Sequence, residues 1–351
     1  MEGVVNAANR AQPIPVLIVA GFLGSGKTTL LNHLLRSRGA RIGVVVNDFG
    51  AINIDAMLVA GQVDAMVSLG NGCVCCAVDI TELDDMFTAL SEPRARIDVI
   101  VVEASGLAEP RNLIRMVAGS ANPRIRYGGL VQVVDAAEFP ASRTRHPELA
   151  THLRLADLVV LNKADRVSAA ELADLRGALT ELVGQVPVYA TTHGRLEPGL
   201  LFDLPVREQS TVATQLSFDE LLLDHDHDDP AHRHLHDDYT TVSFRSDQDL
   251  DPRRLVDFLE DPPTGLFRAK GFAAFAVAGE RRRFGFHLVG RHLVFEPAAW
   301  PRAEPRATQL VLIGAGLDAD TALKRLHDTV HTGTEPLNPQ ALLGVWRYTP
   351  H

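Results

Sequence analysis

Cysteine is nearly missing from this chain of 351 residues: there are three, and all fall within four positions, at Cys73, Cys75 and Cys76. That scarcity excludes a disulfide framework, and the clustering suits a metal or redox site in a reducing compartment. Long hydrophobic runs are missing too. No apolar stretch reaches the roughly 18 to 20 residues that a membrane helix needs. Hydrophobic residues still make up 46% of the chain, enough to bury a sizeable core. Basic residues are in deficit, 34 Lys and Arg against 44 Asp and Glu, for a formal net charge of −10. No global positive field exists to attract nucleic acid or an anionic membrane surface. The opening MEGVVNAANRAQP has no charged start, long apolar stretch or cleavage site, so it does not read as a secretion signal. The expectation is a cytoplasmic protein with neither nucleic acid nor membrane as a partner.

What is present is organised in two parts, as the length allows. Between residues 14 and 190, short β-branched runs alternate with helical patterns. The apolar runs are Val16–Ala20, Ile42–Val46, Val99–Val102, Val131–Val134, Leu158–Leu161 and Val186–Tyr189, and helical stretches include Leu30–Leu35, Leu83–Leu90 and Ala170–Leu182. Continuous buried strands alternating with helices predict an α/β domain with a mainly parallel sheet. Residues 224–238 read DHDHDDPAHRHLHDD, almost free of apolar side chains, and are expected to form a linker. Beyond them the pattern restarts. A strand is expected at Thr241–Phe244, then a helix capped by Asp251 and running through Leu259. Further strands are expected at Phe272–Val277, Phe284–Leu288, His292–Phe295 and Gln309–Ile313, and a last helix after Asp318. The reading is a P-loop domain over 12–208, an Asp/His-rich linker over 209–238 and a smaller α+β domain over 239–351.

Residues 21–28, GFLGSGKT, fit G-x-x-x-x-G-K-[ST] at every fixed position. The glycines let backbone N–H groups turn inward around phosphates, and the following helix adds its positive N-terminal end. Gly24, Ser25, Gly26, Lys27, Thr28 and Thr29 are therefore the candidate phosphate-binding positions. Lys27 is expected to reach the β- and γ-phosphates and Thr28 to offer its hydroxyl to Mg²⁺. The apolar strand before the motif and the helix TTLLNHLL after it supply the context that the motif requires.

Residues 158–165, LVVLNKAD, are an apolar strand ending in N-K-x-D. Asp165 can accept from both N1–H and the 2-amino group of guanine. Adenine offers neither donor and would leave the carboxylate unpaired, at a cost on the order of 1–3 kcal/mol or more. Asn162 can meet the other base edge, and the Lys163 stem can lie on the base face. Downstream of a P-loop these residues favour GTP over ATP. Residues 98–106, DVIVVEASG, end a second buried strand in Glu103, the candidate acid for Mg²⁺, with Asp48 and Asp55 as rivals. Gly106 would let the backbone swing towards a γ-phosphate. Lys27, Thr28 and Glu103 are thus the candidate catalytic set.

Residues 70–76 read GNGCVCC. Neighbouring cysteines pair poorly as disulfides, but three thiolates can converge on one soft ion such as Zn²⁺, with Co²⁺ as an alternative. Three protein ligands leave a fourth position for ligand exchange, which a carrier needs. His225, His227, His232, His234 and His236 in the linker form an auxiliary set. Arg281–Arg283 reads as a solvated edge.

Taken together, GFLGSGKTTLLNHLL, NDFGAINID, GNGCVCC, EASGLAEP, NKAD and GLFRAKGF resemble the CobW/G3E family of P-loop GTPases, over nearly the whole chain. The resemblance implies a GTPase domain, a C-terminal domain, slow hydrolysis of GTP and metal bound at the triad. Its expected partner is a metal-dependent client protein, and its expected state a monomer or homodimer. One departure is Asp48 in NDFG, where the family usually has Glu, a side chain longer by one methylene. Within the family, the zinc-supply role competes with cobalamin-biosynthesis and nitrile-hydratase-activating roles. Outside it, the competing readings are an ATP-dependent metabolic kinase and a non-catalytic zinc buffer.

Overall fold

A computed structural model describes residues 13–37, 40–46, 65–68, 80–106, 109–203, 239–301 and 305–350. The first unit is built on seven parallel strands: β1 (Ile14–Gly21), β2 (Ile42–Val46), β3 (Ala65–Ser68), β4 (Val99–Glu103), β5 (Ile125–Asp135), β6 (Leu158–Asn162) and β7 (Val188–Ala190). Their order is β3-β2-β4-β1-β5-β6-β7 and every neighbouring pair is parallel. A parallel sheet needs cover on both faces, which is why its strands read as unbroken Val/Ile/Leu runs instead of alternating. One face carries α1 (Lys27–Arg36), whose Leu30, Leu31 and Leu34 pack on Leu17, Val19, Val131 and Val133. The other carries α2 (Ile80–Leu90) and α3 (Pro110–Ala118), with Phe87, Leu90 and Leu113 against Ile18, Ile100 and Val102. Short helices α4 (Phe139–Arg145) and α5 (Glu148–Leu153) follow β5, and α6 (Ala169–Val183) packs Leu179 and Val183 beside Val159 and Leu161. The chain moves to one side of β1 through β2 to β4, and to the other through β5 to β7. Such a reversal leaves a crevice at the carboxyl ends of the central strands.

After α7 (Pro198–Leu201), the second unit is a five-stranded antiparallel sheet: β8 (Thr240–Ser246), β9 (Leu266–Ala273), β10 (Arg283–Val289), β11 (His292–Ala298) and β12 (Thr308–Gly314), in the order β11-β10-β9-β12-β8. Alternation with period two sends Val242, Phe244, Phe284, Phe286, Leu288, Leu310 and Leu312 into one core under helices α8 (Pro252–Glu260) and α9 (Ala319–His327). Asp251 and Asp318 cap those helices, accepting from Arg253 N and from Asp320 and Thr321 N. The strand expected at Phe272–Val277 lies instead at Leu266–Ala273. Arg268 and Lys270 conceal it in the sequence, because its second face is directed at other charges instead of solvent.

The two units meet along the end of the first sheet where β5 begins. Phe267, Val289, Ile313 and Ala315 of the second join the cluster formed by Val131, Tyr189, Leu200 and Phe202 of the first. Gln185 accepts from Gly265 N at 3.2 Å and donates to Asp261 at 2.9 Å.

Candidate functional site

The crevice at the carboxyl ends of β1, β4 and β6 gathers the candidate phosphate- and base-binding residues together with Glu103. β1 ends at Gly21, and the loop to α1 turns through Gly24 at φ 73° and Gly26 at φ 103°, backbone that side chains disfavour. No side chain caps α1, so its first turn faces the loop. Lys27 is folded back over the loop, its Nζ donating to Gly21 O at 3.0 Å and Phe22 O at 3.3 Å. Thr28 Oγ1 donates to Glu103 Oε1 at 2.9 Å across 75 residues of sequence. Pairing of β1 with β4 sets that contact, since Glu103 sits beside Val19. Ser25 is buried and Thr29 exposed. Gly106 packs on Leu23, itself 61% exposed.

On the base side, Asn162 is almost fully buried. Its Nδ2 donates to Ser25 O at 3.0 Å and its Oδ1 accepts from Gly194 N at 2.9 Å. The carboxamide therefore clamps the P-loop to the loop after β7. Lys163, at φ 59°, stretches over the loop to Gly24 O and to Asp135 Oδ2, each at 2.7 Å. Asp165, in a short 3-10 turn over Ala164–Arg166, has its side chain exposed at the rim.

Three contributors escaped the sequence reading. Asp135 ends β5 and holds Lys163 and, at 3.4 Å, Arg166. The loop Thr191–Gly194 lies beside the Asp165 turn, with Ala164 N donating to Thr191 O at 3.0 Å. His152 on α5 pairs at 3.3 Å with Glu109, the residue that caps α3. The signal for the first was available: LVQVVD is an apolar strand ending in an acid, as DVIVVE is. Beneath the P-loop, Ser25 Oγ and Gln132 Oε1 are buried without a hydrogen-bond partner among the described residues, beside a cavity of about 30 Å³, room for a bridging water.

Asp48, Asp55, Cys73, Cys75, Cys76 and the linker histidines His225, His227, His232, His234 and His236 lie outside the described residues. Among the described residues no three His, Cys, Asp or Glu side chains group closely enough to hold a metal ion, and no helix is long and apolar enough to cross a membrane. Arg282 pairs with Glu280 and lies over Trp346, and Arg283 covers Phe272 at 4.3 Å.

Comparison with known proteins places this geometry in a family context. The profile "CobW/HypB/UreG, nucleotide-binding domain" matches residues 15–190, and "Cobalamin synthesis protein cobW C-terminal domain" matches residues 239–330. The chain is 31% identical over 349 positions to the zinc chaperone CobW of a Sinorhizobium species, covering 89% of this chain and 95% of that one. It is 32% identical over 215 positions to the zinc chaperone YjiA of Escherichia coli K12, covering 59% and 67% respectively. Among solved structures, Zn(II)-bound YjiA GTPase from E. coli aligns with a TM-score of 0.44 at 23% identity, over 92% of this chain and all of that one.

Proposed function

Because the chain belongs to the CobW/HypB/UreG family of nucleotide-binding proteins and carries a CobW C-terminal domain, we propose that it is a GTPase whose nucleotide state controls a zinc ion carried at Cys73, Cys75 and Cys76. The observation that supports guanine as the base is the double clamp of the N-K-x-D loop. Asn162 and Lys163 are both engaged with P-loop carbonyls, on Ser25 and Gly24. The loop is thereby fixed next to the phosphate loop, with the Asp165 carboxylate exposed at the rim to accept from the base.

Thr28 and Glu103 fit a hard divalent cation: two oxygen donors 2.9 Å apart, at the start of α1 and the end of β4. They would hold Mg²⁺, which when bound neutralises charge developing on the phosphates. Lys27 can reach the same phosphates by leaving the carbonyls of Gly21 and Phe22. Gly24–Thr29 contribute backbone N–H groups, and packing of Gly106 on Leu23 couples the segment after β4 to the phosphate loop.

Zinc is the cargo. The triad lies in sequence between Lys27 and Glu103, in the stretch where nucleotide-dependent proteins place their switches. GTP raises the zinc affinity of the triad, hydrolysis lowers it, and a metal-dependent client accepts the ion by ligand exchange at the fourth position. The Asp/His stretch serves as an auxiliary, weaker site. Linkage demands that zinc raise GTP affinity by the same factor, typically roughly 5- to 150-fold. Titrating zinc into the GTP-analogue and GDP forms, and the analogue into zinc-loaded and metal-free protein, tests it. The two ratios should agree and collapse to one in a Cys73/Cys75/Cys76→Ser variant. Equal zinc affinity in both nucleotide states would end the carrier mechanism, and equal affinity for GTP and ATP would end the guanine assignment.

A further inference from the structure

The seam between the two units holds charges that nucleotide binding does not use. Arg126 comes from β5, Asp203 follows α7, Arg268 and Lys270 stand two apart on β9, and His287 on β10 is the cross-strand neighbour of Lys270. Period two puts Arg268 and Lys270 on one face of the strand. They converge on one carboxylate: Asp203 Oδ1 lies 3.1 Å from Arg268 Nη2 and 2.8 Å from Lys270 Nζ. All five residues line a cavity of about 20 Å³, which holds at least one water-sized atom.

The charges there do not balance. Among the described residues that line the cavity, three are permanent cations and Asp203 is the one acid. Glu296 is a second acid whose field reaches Arg126. Arg268 is nearly enclosed, with 11% of its side chain exposed. One of its terminal nitrogens serves both Gly199 O and Asp203, while its buried Nε has no hydrogen-bond partner among the described residues. A buried donor left unpaired is costly, and more so when it is charged. Burial, and then the charge of Arg268 against the help of Asp203, holds the Arg126 guanidinium below its ordinary range. Burial, reinforced by Arg126, holds His287 down to about 4, so the cluster refuses a fourth positive charge.

We propose that this seam binds a small oxyanion of the inorganic phosphate or sulfate class, held between Arg126 of the first unit and Arg268 and Lys270 of the second. Guanidinium forks match tetrahedral oxyanions, and an anion would supply an acceptor for the unpaired Nε. Lys270, at 39% side-chain exposure, gives the cluster an outlet to solvent. Since the cations come from both units, the ion relieves their mutual repulsion and ties the units together. The site is separate from the nucleotide crevice. Arg126 opens β5 and Asp135 closes it, nine residues further on, which at about 3.3 Å per residue is roughly 30 Å. The inference therefore stands apart from the GTPase reading.

The test is thermal unfolding of the full chain saturated with GDP and Mg²⁺, titrated with phosphate or sulfate against chloride at constant ionic strength. A ligand of the folded state raises the midpoint in a saturable way. The unaltered chain should show that rise. Lys270→Gln and Arg126→Gln should each weaken the apparent affinity at least about tenfold, Lys270→Arg should restore it, and GDP affinity should stay within about twofold throughout as the folding control. Should Arg126→Gln fail that control, the Lys270 pair decides alone. No difference from chloride overturns the proposal. So does a phosphate response that survives Lys270→Gln, which would belong to the nucleotide crevice, or a response to free glutamate but not to phosphate, which would make this a seat for a carboxylate.

Discussion

Asn162 occupies the space that a side chain at Gly26 would need: an ideal Cβ there falls 2.2 Å from Asn162 Nδ2, the atom that donates to Ser25 O. With φ at 103°, Gly26 also holds a backbone conformation that L side chains rarely adopt. Gly26→Ala should therefore break the clamp from the P-loop side, and Asn162→Ala from the other, leaving Ser25 O and Gly194 N unpaired. Each should weaken GTP and GDP binding alike, by at least about tenfold, and Asn162→Ala should cost on the order of 1–3 kcal/mol of stability. Fluorescent-nucleotide titration and urea unfolding measure the two effects. Full affinity in Asn162→Ala would remove the clamp from the account of binding.

Asp165 has a different task, and its substitution a different signature. Asp165→Asn exchanges an acceptor for a donor at one oxygen. GTP affinity should fall at least about tenfold, while discrimination against xanthosine nucleotides relaxes. Competition titrations with GTP, XTP and ATP read this out, and an unchanged GTP constant would mean that another group reads the base.

Much of this site was legible because its chemistry is local. The P-loop and N-K-x-D are contiguous runs, each following a strand whose Val/Ile/Leu composition marks it as buried, so the placing of Lys27, Thr28, Glu103 and Asp165 at the strand ends followed from spacing alone. Strand positions in the first unit were partly legible for the same reason: Ile42–Val46 falls where expected, whereas β5 begins six residues before the expected Val131 and β3 (Ala65–Ser68) was not expected at all. Asp135 could have been named from the strand that it ends, but its pairing with Lys163 could not, nor could the part played by Thr191–Gly194: both depend on β5 and β7 flanking β6 in space, and no spacing along the chain reveals that. For Asn162 the backbone clamp was not legible. Its carboxamide is taken by backbone groups 137 and 32 residues away. The seam of Arg126, Asp203 and Arg268 was hidden for a further reason: a strand with one charged face reads as solvent-exposed when its partner is another domain.

Glu103 and Thr28 make the next prediction. Glu103→Gln keeps an oxygen able to accept from Thr28 but removes the charge. The Mg²⁺ concentration giving half-maximal GTP hydrolysis should rise at least about tenfold, with GDP binding in the absence of Mg²⁺ little changed. Thr28→Ala should act in the same direction. A Mg²⁺ dependence that neither substitution moves would transfer the metal to Asp48 or Asp55.

The last prediction concerns pH and Asp157, which lies one residue before β6 and under the β10–β11 turn. Its carboxylate accepts from Tyr127 Oη at 2.5 Å and from Leu130 N at 2.9 Å. At Gly290, φ 53°, a Cβ would overlap its Oδ1. Burial pushes the Asp157 carboxyl up to about 6 from an ordinary 3.8, against the pull of the hydrogen bonds from Tyr127 and Leu130. A raised acid binds its proton more tightly in the folded state. Its contribution to stability is therefore complete below about pH 4 and is lost as pH rises through about 6. Asp157→Asn cannot titrate. Across that window the unaltered chain should lose stability relative to the variant at up to about 1.4 kcal/mol per pH unit, the slope for one proton, and the difference should level off above pH 7. Guanidinium unfolding at pH 4.5, 5.5, 6.5 and 7.5 supplies the comparison. Parallel curves for the two proteins would assign the titration elsewhere. Gly290→Ala gives a second arm: by displacing the carboxylate from its enclosed position it should flatten the same slope, and it should also destabilise the protein at every pH because the turn is strained.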